Sequence, residues 1–398
     1  MRGESLIMRA RSIKERFEQV FSHPAEVVAR GPGRVDLLGS HTDYNDGFVL
    51  PVAIDLEVMA AGRARNDDTI RLWSNNFGEL SRFSLKDIAF DTEARWSNYA
   101  RGVVKFLRER GNGIRGADVL IDGRVPIASG LSSSAAIEMA VATLFEALFN
   151  LDVPPVELAL IGKRAENEFV GINTGIMDQF ASRLGKSGHA LFLDCRSLEY
   201  ELVPLPTEKV KIVVADTMKR RGLVDSEYNR RRSQCEEAAR ELGRHISGVR
   251  ALRDVTAEQF EQHRDALPEV IRKRAEHVIY ENERVLKSRQ MLQAGDLAGF
   301  GRLMDASHDS ARDLYEVSCV ELETMVWAAR KVPGVLSARM AGAGFGGCAV
   351  SLVPSEAVKE FQRLVAAEYE ARIGVKPTFY VCETADGAGT IPVLSAEC

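Results

Sequence analysis

Four stretches of this 398-residue chain gather residue types that do chemistry. Gly39-Ser40-His41-Thr42-Asp43-Tyr44-Asn45-Asp46-Gly47 sets an imidazole, two carboxylates and a phenol just ahead of the apolar run FVLPV. An ionised carboxylate only accepts hydrogen bonds, whereas a neutral imidazole both donates and accepts. Such a set suits a ligand covered in hydroxyl groups; a solvated loop is the plainer alternative. The second stretch is Ser129-Gly130-Leu131-Ser132-Ser133-Ser134-Ala135-Ala136, between a strand pattern and a long apolar helix pattern. Glycine allows close backbone approach, and the amides and dipole of a helix start favour phosphate. A serine hydroxyl there also suits Mg²⁺, usually with a carboxylate beside it. One serine is enough for an N-cap; three after a glycine lean toward phosphate. With no Gly-Lys-Ser/Thr, this is not a Walker A loop.

The third stretch, Gly171-Ile172-Asn173-Thr174-Gly175-Ile176-Met177-Asp178-Gln179-Phe180, places Asp178 in an apolar helical setting with no lysine or arginine at its flanks. Asp178 is either a first-turn carboxylate complementing the helix dipole or a proton acceptor for a hydroxyl. Twelve residues upstream, Glu166 is either the second half of a Mg²⁺ site or a surface residue of its helix. The fourth stretch, Ala341-Gly342-Ala343-Gly344-Phe345-Gly346-Gly347-Cys348, has four glycines in six residues. By itself it is a tight turn; paired with the serine loop it closes over the same phosphates from the other half of the chain.

The elements that position these stretches read as follows. A helix spans 5 to 22, a short strand Glu26 to Arg30, a long strand Phe48 to Arg63 and another Thr69 to Trp73. Trp96 to Arg110 is helical and is ended by Gly111-Asn112-Gly113. Ala117 to Val125 is a strand, Ser132 to Asn150 a helix, 156 to 169 a helix after Pro154-Pro155, and His189 to Cys195 a strand. LVPLP at 202 to 206 reads as a linker. Val210 to Ala215 is a strand, 226 to 331 is charged and helical, and strands return at Gly347 to Val353 and Pro377 to Cys382. Strands mixed with helices in both halves predict two α+β domains, not a doubly wound sheet.

Composition narrows the functional classes. The chain is 45% hydrophobic and 27% charged, with a net charge of -5, so nothing suggests a nucleic-acid footprint. The basic clusters Lys219-Arg220-Arg221 and Arg230-Arg231-Arg232 are interleaved with Glu227, Glu236 and Glu237, as on a solvated helix face. Cysteines at 195, 235, 319, 348, 382 and 398 form no CxxC and no metal-ligand spacing with the seven histidines, which suggests free thiols in a reducing compartment. The N-terminal apolar run is too short for a signal peptide, and no apolar stretch reaches the roughly 20 residues of a membrane span. A cytoplasmic protein, monomeric or a weak homodimer, is expected.

Taken together, these stretches resemble the GHMP small-molecule kinases and, within them, the galactokinases. Gly33 to Gly47 resembles the galactokinase N-terminal signature, Gly130 to Ala136 the phosphate loop and Ala341 to Cys348 the third, glycine-rich motif. Asp225-Ser226-Glu227-Tyr228-Asn229-Arg230-Arg231-Arg232 resembles the segment whose tyrosine lies at the sugar. The resemblance spans nearly the whole chain, in order. It implies a two-domain α+β architecture: a ribosomal-protein-S5-domain-2-like N-terminal domain over 1–205 and a ferredoxin-like C-terminal domain over 206–398, whose last strand returns to the first domain. It implies ATP- and Mg²⁺-dependent phosphorylation of galactose at the anomeric C1 hydroxyl. Asp178 would accept the proton and Arg34 would keep that carboxylate ionised. Ser134 (or Ser133) and Glu166 would hold Mg²⁺. Gly130, Leu131, Ser132, Ser133, Ser134, Ala135 and Gly344 would hold the nucleotide phosphates, and Trp96 would border the adenine. Ser40, His41, Asp43, Gly175, Asp178 and Tyr228 would line the sugar.

The chain departs from that pattern at several positions. Ser40 stands where galactokinases commonly carry Glu, reaching toward the sugar 6-hydroxyl. Either another group fills the gap and galactose remains the substrate, or a sugar altered at C6 is accepted (L-arabinose, a 6-deoxy sugar, galacturonate). The intact remainder of the signature, Asp43 included, favours galactose. Asp36 replaces the usual Asn, Ala128 a glycine before the serine loop, and Ala341 a threonine. Three rival functions remain: a galactose sensor that transfers no phosphate, an N-acetylgalactosamine kinase, and a GHMP kinase of isoprenoid or amino-acid metabolism. The intact Asp178, Arg34, serines and Glu166 argue against the first. The hydroxyl-binding cluster at 41–46 argues against the last.

Overall fold

The apolar run that follows the His41–Asp46 cluster becomes the central strand of the molecule in the computed structural model. Residues 6–111, 113–220 and 224–392 are described. Asn112, Arg221 and Cys398, named above, lie outside them, as do the side chains of Asp225 and Ser226. The first half runs α1 (Leu6–Phe21), β1 (Val27–Leu38), β2 (Phe48–Ala64), β3 (Thr69–Ser74), β4 (Glu79–Ser84), α2 (Asn98–Glu109), β5 (Ala117–Gly123), α3 (Ser133–Leu148), α4 (Pro155–Arg164), α5 (Met177–Leu184), β6 (His189–Asp194) and β7 (Tyr200–Pro204). The second runs β8 (Val210–Asp216), α6 (Val224–Leu242), α7 (Ala257–His263), α8 (Glu269–Gln293), α9 (Leu297–Ser310), α10 (Val320–Arg330), β9 (Ser337–Met340), β10 (Cys348–Pro354), α11 (Val358–Ile373), β11 (Thr378–Cys382) and β12 (Gly389–Thr390).

Among the described residues the strands form two sheets. In the large one the order is β12-β1-β2-β5-β3-β4, with β6 and β7 attached along the other end of β2. All of its pairings are antiparallel except β3 with β5. In the small sheet the order is β11-β8-β10-β9, antiparallel throughout. Leaving out the helices inserted after β8, this is the β-α-β-β-α-β pattern of a ferredoxin-like unit. The α+β reading holds. The final strand β12 pairs with β1, Ala29 opposite Thr390, so the end of the chain returns to the large sheet.

The differences from the sequence reading have physical causes. The short strand expected over Glu26–Arg30 continues to Leu38, through Gly31-Pro32-Gly33. Register shifts between Pro32 and Arg34 and between Asp36 and Leu38 absorb the irregularity, so pairing with β2 resumes. LVPLP is not a linker. Leu202 pairs with Leu191, and Pro204 lies at the end of an outer strand, where its missing N–H costs no ladder bond. The helix expected over 156–169 leaves α-geometry at Ala165 and ends in a π-helical turn, Ala165–Val170. The strands β4, β9 and β12 were not read from the sequence. β4 has too few apolar residues in succession, and the other two are only four and two residues long.

The helix α3 lies against β1 and β2 at a distance set by small residues. A Cβ on Gly31 would stand 2.3 Å from the Ala136 carbonyl oxygen and 2.7 Å from the Ala140 amide nitrogen. Both contacts are backbone, so no side chain can rotate away. The apposition fixes α3, and with it the serine loop at its N-terminus. We expect Gly31→Ala to force the helix off the sheet and cost about 1–3 kcal/mol, measured as a lower urea midpoint. An unchanged midpoint would mean that the helix does not rest on the strand at this distance.

Candidate active site

A cleft of about 850 Å³ lies between the serine loop, the His41–Asp43 loop and the glycine-rich turn. Asp178 faces it from the first turn of α5. Arg34 reaches Asp178 from β1: its Nε donates to Oδ1 at 2.7 Å, and its Nη2 is also 2.7 Å from that oxygen. The Arg34 Nη1 donates to the Gly130 carbonyl at 2.6 Å, and the Ser132 hydroxyl donates to Asp178 Oδ2. One guanidinium thereby joins β1, the serine loop and α5. Burial opposes the Arg34 cation, but the neighbouring Asp178, Asp36 and Asp43 more than offset it.

The serine loop is bent by left-handed residues, Ala128 at φ 57°, Gly130 at 91° and Ser132 at 56°. Ala128 holds without glycine the conformation that glycine favours. Ser132 precedes α3 but makes no side-chain cap; its hydroxyl goes to Asp178 instead. The Ala136 amide bonds the Ser132 carbonyl at 3.1 Å, so the amides before it have no partner within the helix. Ser132, Ser133, Ser134 and Gly130 line the cleft. Leu131 and Ala135 are buried and are not among the residues lining the cleft. The Cys348 amide donates to the Ser129 carbonyl at 3.0 Å, joining the glycine-rich turn to the serine loop. From that turn Gly342 and Ala343 line the cleft. Gly344 instead packs on Val317, whose carbonyl oxygen would lie 2.1 Å from a Cβ there.

Behind the loop, the Glu166 Oε2 accepts from Thr174 Oγ1 and Gln179 Nε2, both at 2.8 Å, and Ser134 also bonds this carboxyl. Burial, and then the charge of Asp178, raises the Glu166 pKa. Gln179 Nε2 also donates to Glu138 Oε2 at 2.9 Å. Burial pushes fully enclosed Glu138 well up, with the Glu166 charge adding to it. An oxygen pair, Ser134 and Glu166, in a region short of positive charge suits a hard divalent cation that keeps waters and phosphates as its remaining ligands. No cluster of three or more His, Cys, Asp or Glu fit to hold a metal occurs among the described residues, so protein ligands alone would not encage the ion.

His41, Asp43 and Tyr228 meet at the other side of Asp178. Burial lowers the His41 pKa to about 3, so its ring is neutral. The Nδ1 atom lies 2.9 Å from the Tyr44 hydroxyl, which continues to Tyr315 at 2.7 Å. The Nε2 atom faces the Ala343 backbone without a well-formed hydrogen bond. Enclosure and the charge of Asp178 raise the Asp43 pKa to about 6. Gly175 is buried behind Asp43, and any Cβ there would fall 1.8 Å from Asp43 Oδ2. Burial, then Asp43, holds the Tyr228 phenol protonated; its ring is 5.7 Å from His41 and 5.1 Å from Tyr44. Ser40 borders the cleft, bonded to Asp36 and Arg339.

Trp96 lies on the turn before α2 at the far, aromatic end of the cleft, with Phe77, Phe90 and Tyr99. Trp96 and Phe77 stack at 6.2 Å and 19°, and the Trp96 indole donates to Glu79 at 3.0 Å. Sequence reasoning missed Phe77 and Phe90, since scattered aromatics in polar loops and turns carry no spacing signal, and Tyr99, which reads as an ordinary residue of the first turn of α2. It also missed Arg339 and Glu138, each of which reads as an ordinary charge in its own element.

No helix among the described residues is long and apolar enough to cross a membrane. Family models match over three segments: the galactokinase galactose-binding signature at 15–64, the GHMP kinases N terminal domain at 98–186 and the GHMP kinases C terminal at 288–371. A galactokinase of Roseiflexus sp. (strain RS-1) is 46% identical over 95% of this chain and 96% of its own. One of Chloroflexus aurantiacus (strain ATCC 29366 / DSM 635 / J-10-fl) is 47% identical over 96% and 97% respectively. The crystal structure of Lactococcus lactis galactokinase complexed with galactose superposes with a TM-score of 0.93 at 39% identity, covering 96% of this chain and all of that one. With full-length identity at this level and the motifs gathered on one cleft, the chain belongs to the galactokinases, a branch of the GHMP kinases.

Proposed function

We propose that this chain transfers the γ-phosphoryl group of ATP to the anomeric C1 hydroxyl of D-galactose, with Asp178 as the proton acceptor. The observation that carries this reading is the position of Asp178, clamped by Arg34 and Ser132 where the serine loop meets the His41–Asp43 loop. A phosphate on the loop amides and a hydroxyl beside Asp43 would both lie next to that carboxylate. The domain division near residue 205 belongs to the same reading, with the cleft between the two units.

In the transfer, the C1 oxygen attacks the γ-phosphorus and the bond to the ADP oxygen breaks. The hydroxyl proton passes to Asp178. Arg34 holds that carboxylate in place through two N–H groups and offsets negative charge on the moving group. The amides at the start of α3 hold the phosphates. Ser134 and Glu166 are the residues that would hold Mg²⁺, which neutralises phosphate charge when bound. Phosphoryl transfer asks mainly for position and charge neutralisation, and these groups supply both. His41, Asp43 and Tyr228 orient the sugar, with Gly175 leaving the space in which Asp43 sits. Neutral His41 and ionised Asp43 discriminate between epimers, because a hydroxyl turned the wrong way leaves a buried group unpaired. Trp96 and the aromatic end of the cleft would take the adenine.

Asp178→Asn removes the proton acceptor and weakens the pair with Arg34, at some cost in stability, but leaves an amide oxygen to accept from that guanidinium. Galactose binding by calorimetry should persist while turnover falls by about 10²–10⁴-fold; near-normal turnover would remove Asp178 from the chemistry. Asp43 titrates near pH 6, so it is an acceptor above that pH and a donor below it. The KM for galactose should therefore rise as pH falls through 6, and this inflection should vanish in Asp43→Asn. Persistence of the step in that variant would assign it to another group. Glu166→Ala should raise the Mg²⁺ concentration needed for half-maximal activity, and an unaltered Mg²⁺ titration would clear Glu166 of metal binding.

A further inference from the structure

Behind Ser40 lies a buried charge cluster that phosphoryl transfer itself does not use. Arg339, on β9 of the small sheet, is 0% exposed. Its guanidinium crosses to the large sheet. Nη1 donates to the Leu37 carbonyl at 2.7 Å, Nη2 donates to the Ser40 hydroxyl, and the Asp36 carboxylate is 3.5 Å away. Asp36 is equally enclosed. Its Oδ2 accepts from Ser40 Oγ at 2.7 Å and its Oδ1 from the Gly342 amide at 2.6 Å. Burial alone would raise the Asp36 pKa; Arg339, Arg34, Ser40 and Gly342 outweigh it and keep the group ionised. Glu281 also lies near Arg339, but Arg284 at 2.6 Å, Ser307 and the Gly39 amide hold it. Asp36 is thus the carboxylate that touches Arg339 among the described residues.

A buried cation stripped of its partner is strongly destabilising. The contacts of Asp36 also bear on the reaction. Arg34 and Asp36 are two positions apart on β1, so their side chains leave the strand by the same face. Arg34 holds Asp178, while Asp36 holds Gly342 on the glycine-rich wall of the cleft. The two sheets therefore meet at Asp36, one residue removed from the clamp.

We propose that Asp36 is a positioning residue that fixes the glycine-rich turn and Arg339 against the strand carrying Arg34, and that Ser40, its hydroxyl held between Asp36 and Arg339, gives the sugar a short, neutral wall. The effect on turnover rests on the kinase reading above. One carboxylate, at 36 or at 40, neutralises Arg339. Two would crowd like charges in an enclosed site, and none would leave the cation bare. Positions 36 and 40 are consequently coupled, and Ser40→Glu is a clean substitution only when Asp36 loses its charge.

The test is a double-mutant cycle of Asp36→Asn, Ser40→Glu and the combined variant. Each single substitution should lower the thermal midpoint by several degrees and kcat by about tenfold or more, with a smaller change in the KM for galactose. The combined variant should recover most of both losses, and its kcat/KM ratio for galactose over L-arabinose should differ from wild type, because its wall now bears a carboxylate. Losses that simply add, a combined variant that does not fold, a loss confined to KM, or an unchanged sugar ratio would overturn the proposal. If Asp36→Asn alone does not fold, a folded and active combined variant supports it. The midpoints are read without sugar, so the coupling is measured whatever the substrate. Wild-type turnover of galactose tests the kinase reading separately.

Discussion

The ion pair between Arg34 and Asp178 is the constraint on which the rest of the cleft depends. It joins a strand, a loop and a helix that are far apart in sequence, 144 residues separating the two charges. The Arg34 side chain is 6% exposed and that of Asp178 19%, so the pair is screened only from the cleft side. Removing one member of such a buried pair costs about 3–5 kcal/mol, enough to make the geometry self-enforcing. The irregular register of β1 on either side of Arg34 aims the guanidinium, as bulges do beside active sites. Ser132 completes the arrangement by giving up its role as a helix cap.

Around that pair the protein assembles more negative than positive side chains. Asp43, Asp178, Glu166 and Glu138 lie within reach of one another's fields, and the pKa values of Asp43, Glu166 and Glu138 are driven up by burial and then by neighbouring carboxylates. A folded chain accepts this cost when the missing charge arrives with a ligand. Here the proposed counter-charge is the divalent cation that Ser134 and Glu166 would hold. On the sugar side the strategy is opposite: His41 is held neutral by burial and fixed through Tyr44 and Tyr315, so it is an oriented hydrogen-bonding group and not a charge.

Much of this was legible in the residue order. The glycine-then-serines loop, the long strand β2, the apolar helix after the loop and the helical block before β9 all stood where their patterns put them, because each is specified by local propensity and hydrophobic period. The continuation of β1 through Gly-Pro-Gly was not legible, since those residues argue locally for a break and only pairing with β2 overrides them. The LVPLP strand was hidden for the same reason. Gly344 illustrates a limit within a motif: glycine spacing announces a close approach but not to what, and at this position the close neighbour is Val317.

The sequence by itself determined which chemistry was available, through an ordered set of carboxylates, an imidazole, serines and glycines that matches one kinase family. Only the tertiary structure decided which of those groups are charged and which touch. Asp36 and Ser40 read as two separate departures until folding placed both on Arg339, some 300 residues away along the chain. The reason is electrostatic. A charge in water is cheap anywhere, whereas a charge taken out of water must be matched by whatever the fold brings within a few ångströms. Local sequence carries no record of that match.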